Sequence, residues 1–176
     1  MTVHIIGLGA TAQDFKPVEK SGYKKDNFII GVNDATCEAV IDARVCVDKV
    51  ARFTHERFRK IVSPVPWQGF FTQIDEWECT LPIRKINLKA VHAHNNRWNE
   101  FIPSSNNSPF VACGVAHRYF NATEIYLYGV DFNNHPNIKN EMRDAAVRDY
   151  ILLQKILNKR GCVIIPHKDS YLFGRI

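Results

Sequence analysis

Five short apolar runs constrain this chain more than any other feature. They are VHIIGLG (3–9), NFIIGVND (27–34), ARVCVD (43–48), EIYLYGVD (124–131) and CVIIP (162–166). Each is nearly unbroken rather than alternating, the pattern of a strand buried on both faces of a sheet. Amphipathic stretches separate them: THERFRKIV (54–62), FVACGVAHRYF (110–120) and NEMRDAAVRDYILLQKILNKRG (140–161). The last ends in Lys159, Arg160 and Gly161, a helix stop. Shorter helical turns are expected from Ala10 and over ATCEAV (35–40). Strand–helix alternation predicts an α/β fold, a doubly wound and mostly parallel sheet in three layers.

With 176 residues, 45% of them hydrophobic, the chain is expected to form one domain over 1–176. The stretch from about 63 to 108 breaks the pattern. Pro64, Pro66, Pro82 and Pro103 punctuate it, and aromatics crowd WQGFFTQIDEWEC (67–79). An irregular insert with one or two short strands is expected there, closing on the polar loop PSSNNSP (103–109). No apolar run approaches the ~20 residues of a membrane span. The first dozen residues do not read as a signal peptide, so a cytoplasmic protein is expected. The five cysteines form no C-x-x-C pair and read as reduced thiols. The net charge of +5 gathers at Lys16–Lys25, Arg52–Lys60 and Arg84–Lys89. These clusters suit phosphates or a plain solvated face, and the charge leaves nucleic acid open as a partner.

Parallel strands finish at one edge, where ligands of such sheets bind. Just beyond the apolar runs stand Gly7, Gly9 and Thr11, then Asn33 and Asp34, then Asp48. The fourth run gives Asp131, Asn133, Asn134 and His135; the fifth gives His167, Lys168, Asp169 and Ser170. Gly7-x-Gly9-x-x-Ala12 fits the loose dinucleotide fingerprint of Rossmann-like folds, in which glycine lets backbone approach a phosphate. Asp34 stands where a ribose-binding acid would. The chain is nonetheless short for two mononucleotide halves plus a substrate domain, which speaks against a nicotinamide enzyme.

Several segments together sharpen this. IIGLGATAQDF resembles the turn that opens the bacterial sialyltransferases of glycosyltransferase family forty-two and the related hydroxymethylpterin diphosphokinase-like proteins. IIGVNDA is similar to the sialyltransferase segment in which an asparagine ends the second strand. ARVCVD is similar to a diphosphokinase-like segment ending in aspartate, and NNSPFVACGVAHRYFNATEIYLYGVDF (106–132) to the sialyltransferase stretch through "EIYL-x-G-I-D-F". The resemblance covers about two thirds of the chain and omits 63–105. It implies that Gly7, Gly9, Thr11, Asn33 and Ser108 hold CMP, with Asp131 tying loops beneath the site. Leu8 and Ala10 replace the family's Asn and Pro. The short loop NNHPNIKNE replaces its long lid, and Glu141 and Arg143 stand near where its catalytic histidine would align.

The expected function is therefore a small glycosyltransferase-like protein binding a nucleotide-activated sugar of CMP-sugar type, with an unspecified acceptor. His135 is its base and His167 the reserve, since transfer needs a base whose pKa lies near neutrality. Two alternatives stay open. One is an ATP-dependent diphosphokinase-like phosphotransferase, with Mg²⁺ held by Asp48 and Asp131. The other is a nucleotide-binding domain without catalysis. His92 and His94 in VHAHNN lack a third ligand at a supporting spacing and read as surface residues. His117 reads as a hydrogen-bonded core histidine, and Trp67, Phe70, Phe71 and Trp77 as core aromatics.

Overall fold

The computed structural model describes residues 1–16, 27–62, 69–77, 82–93, 97–133 and 140–176. Seven strands form one sheet in which every pairing is parallel: β1 (Thr2–Ile6), β2 (Asn27–Val32), β3 (Ala43–Val45), β4 (Phe70–Thr72), β5 (Ile83–Lys85), β8 (Glu124–Tyr128) and β9 (Val163–Pro166). Their order is β5-β4-β3-β2-β1-β8-β9. The chain thus builds outward from β1 to one side and then returns to its other edge. β6 (Leu88–Ala90) and β7 (Ile102–Ser104) pair in a separate parallel ribbon.

Helices cover both faces. On one face lie α2 (Ser108–Phe120) and α3 (Asn140–Asn158). Phe110, Val111 and Val115 of α2, with Tyr150, Leu153 and Leu157 of α3, pack on Val3, Ile5, Ile30, Val45, Ile125 and Leu127. On the other lie α1 (His55–Val62) and a 3₁₀ turn over Ala10–Asp14, where Ile61, Phe15 and Trp77 cover Ile6, Ile29 and Phe70. Burial of each such side chain contributes about 1.5–3 kcal/mol. The result is a Rossmann-like parallel α/β fold. Among the described residues, no helix is long and apolar enough to cross a membrane.

The helix ends follow local chemistry. Asn107 caps α2, its Oδ1 accepting the Phe110 amide at 2.9 Å. After α3, Gly161 takes the left-handed conformation (φ 71°), and the Cys162 amide donates to Leu157 O.

Three expectations need correction. ATCEAV is not helical: Arg44, buried on β3, draws the carbonyls of Asn33 and Ala35 to its guanidinium and so fixes an irregular path. The stretch from 63 to 108 is richer than expected. It holds β4, β5, β6 and β7, and β4 and β5 extend the main sheet. Unbroken apolar burial also fails at β8, which alternates, with Tyr126 and Tyr128 half-exposed. Trp77, Phe70 and Phe71 are core residues, while Trp67 lies outside the described residues. Cys37, Cys46, Cys113 and Cys162 are free thiols, and burial pushes Cys46 up to about 12. Cys79 lies outside the described residues.

Candidate functional site

Strand order reverses between β1 and β8, and a cleft of about 400 Å³ opens there at the carboxyl edge. In open parallel sheets this is the crevice where ligands bind. Gly7–Ala10 and Gly129–Asn133 line it side by side, with Val32, Asn33, Asn107 and Pro109 completing it.

The register explains the glycines. Ile6 pairs with Tyr128, so the two chains leave the sheet side by side at Gly7 and Gly129. A Cβ on Gly7 would collide with Gly129 O, and one on Gly9 with Asp131 Oδ2. Gly129 itself has φ +67°, and a Cβ there would lie 2.7 Å from Gly7 O. Glycine is therefore demanded first by the neighbouring loop. The amides of this turn tell the same story. Gly7 N donates to Tyr128 O (2.7 Å), Gly9 N to Gly129 O (2.8 Å) and Thr11 N to Asp131 Oδ2 (2.9 Å). Those of Leu8 and Ala10, two residues lining the cleft, have no acceptor among the described residues. The turn is thus bolted to its neighbour, with two N–H groups in reserve.

Thr11 and Asp131 form the bolt. The Thr11 hydroxyl donates to Asp131 Oδ1 and accepts the Gly129 amide at 2.8 Å. Both residues are buried, and of the two only Asp131 lines the cleft. The C-terminal turn braces the same wall: Tyr171 N donates to Asp131 O (2.7 Å) and Ser170 Oγ to Val130 O (2.7 Å).

Asn33 lines the opposite side with a left-handed backbone, φ 53°. Its Nδ2 donates to Asp48 Oδ2 at 3.2 Å, while its buried Oδ1 has no donor among the described residues. An unmatched buried carbonyl costs on the order of 1–3 kcal/mol. Asp48 also accepts from Arg52 at 2.6 Å and stands behind Asn33 rather than on the cleft wall. Asp34 is held by Arg57 in a bidentate pair, both bonds 2.7 Å, so it points to α1 and not to a ribose. Ser108 is buried in the first turn of α2, beside the lining residues Asn107 and Pro109.

The Mg²⁺ pair is not brought together as a ready ligand set. Asp131 is committed to Thr11, and Asp48 to Asn33 and Arg52. Among the described residues, one group of three potential ligands converges: Asp14, His167 and Asp169. His167, the reserve base, therefore sits outside the cleft. Its Nε2 is 3.7 Å from Asp14, its Nδ1 accepts the Asp169 amide at 3.3 Å, and its ring meets Tyr128. His135, Asn134 and His94 lie outside the described residues; His92 is exposed. His117 is half-buried at the end of α2, its Nδ1 hydrogen-bonded with Ala122 O.

Sequence reasoning missed Gly129, Asn107 and Phe132. Gly129 had a signal, a glycine just past an apolar strand as Gly7 is; Phe132 had none. Comparisons with protein-family models, with curated proteins and with solved structures find no match to this chain. What stands is the parallel α/β fold and the geometry of its cleft.

Proposed function

We propose that this cleft binds a nucleotide-activated sugar of the CMP-sugar type and that the protein is glycosyltransferase-like. The observation that carries the reading is the position of the cleft. It lies at the strand-order reversal, between two glycine turns and beside the amino end of α2. The Leu8 and Ala10 amides and the α2 dipole favour an anion there. No lysine or arginine is among its described lining residues. That suits a donor with a single phosphate better than a triphosphate, whose several charges need cations. It also ranks the donor reading above the ATP-dependent one. Unmatched Asn33 Oδ1 suits a hydroxyl or amino donor of the nucleoside. His135, two positions beyond Asn133 of the cleft wall, is the proposed base for transfer.

Calorimetry against CMP, UMP, AMP and GMP tests the reading. CMP should bind, and Asn33→Gly should weaken it by roughly 1–3 kcal/mol, about ten- to a hundredfold. Glycine suits this test because it tolerates the positive φ, whereas alanine would add strain of about 1 kcal/mol. The melting temperature should hold or rise. A wild-type protein that binds none of the four nucleotides overturns the proposal.

A further inference from the structure

Three non-glycine residues among those described have a left-handed backbone: Asn33, Asn121 and Phe132. Asn121 is the C-cap of α2, an ordinary place for it. The other two line the cleft. Asparagine tolerates this region, but a phenylalanine at φ 55° is an outlier that glycine, asparagine or aspartate would relieve. Strain of this kind persists where the surroundings enforce it, and it collects at ligand sites.

Two observations say what the ring is for. Phe132 is the one aromatic residue among the described lining of the cleft. It is also only partly buried: its ring meets Tyr150 in a T-shaped contact, 6.2 Å between centroids and 73° between planes. One side of the residue packs against the core, and part of its surface stays open where it lines the cleft. Tyr150 fixes it from behind. That tyrosine is fully buried and donates from its hydroxyl to Asn107 Oδ1 at 3.2 Å, linking the Phe132 wall to the cap of α2.

We propose that Phe132 is the positioning residue on which the base of the bound nucleotide stacks. This rests on the nucleotide reading above and adds to it the orientation of the ligand. The base lies on Phe132, which leaves the phosphate for the neighbouring Leu8–Ala10 turn. An aromatic face accepts any base, so Phe132 holds the base without selecting it.

The test uses two variants and two ligands. Phe132→Leu keeps apolar bulk and loses the π face; Phe132→Tyr keeps the ring. CMP affinity is measured by calorimetry, and ribose 5-phosphate, which lacks a base, by displacement of CMP. Phe132→Leu should lose about tenfold in CMP affinity while its ribose 5-phosphate affinity stays level, and Phe132→Tyr should bind CMP like wild type. Unchanged CMP affinity in Phe132→Leu overturns the proposal. So does an equal loss for both ligands, which makes Phe132 a packing residue. A wild-type protein that binds no nucleotide removes the underlying reading as well, a result separate from either of these.

Discussion

The carboxyl rim of the sheet is built in two different ways on the two sides of the cleft. Beyond β1 and β8 the loops are fastened by backbone: amide to carbonyl from Gly7 and Gly9, with the Thr11–Asp131 bolt beneath. Beyond β2 and β3 they are fastened by long charged side chains. Arg44 gathers the Asn33 and Ala35 carbonyls, Arg57 clasps Asp34, and Arg52 meets Asp48. The first side leaves no room for a Cβ at Gly7, Gly9 or Gly129 and holds no cation in its fastening. The second has a buried arginine at its base and ion pairs, open to salt, at Arg52 and Arg57. A cleft between such walls has one fixed jaw and one adjustable jaw.

The sharpest way to break this contrast is Gly7→Ala. The new methyl meets backbone at Gly129 O, which cannot swing aside. A loss of about 3 kcal/mol is expected, roughly 6–12 °C in melting temperature, and it should be the same in low and high salt. A tolerated alanine would mean that the β1–β8 jaw is not fixed. Next comes Arg44→Met on the other side. Burial draws the Arg44 pKa down to about 10, yet the guanidinium stays charged and serves two carbonyls. Removing it should cost about 2 kcal/mol in denaturant unfolding, because those carbonyls lose a donor. Little change would show that the irregular Asn33–Ala35 path holds itself. The smallest effect is that of Arg57→Gln. Arg57 is 40% exposed along its side chain, so screening limits the pair to about 0.5 kcal/mol despite its two short bonds. Near 1 M salt the difference from wild type should vanish. If it persisted, the adjustable jaw would be stiffer than its charges imply.

What the sequence revealed tracks how local each cause is. β1, β2 and β9 were legible because two covered faces leave apolar runs, and α3 because its period and Gly161 both mark it. β4 to β7 were not. Each has three residues, too few for a period, and each is a strand only because a distant partner pairs with it. β8 was found, but its half-exposed face was not, since exposure depends on what the rest of the chain packs against it. At the site, Gly7 and Gly9 stood out as glycines. Their cause, the approach of Gly129 and Asp131, lies some 120 residues away and leaves no mark in the neighbouring sequence. Phe132 is the extreme case, because a backbone angle that a residue type disfavours cannot be foreseen from that residue type.

The central place of β1 has a consequence for how the protein is made. Its two neighbours are β2, close by in the chain, and β8, where the Thr2 hydroxyl meets Glu124 across 122 positions. A ribosome adds about 5–20 residues per second, so one edge of β1 waits on the order of ten seconds for its partner. Through that interval Val3 and Ile5 sit on a half-built sheet with an unpaired edge, the state most open to wrong pairing. Crowded polysomes place identical nascent strands side by side. A chaperone that shields this edge would therefore protect yield without changing the stability of the finished fold.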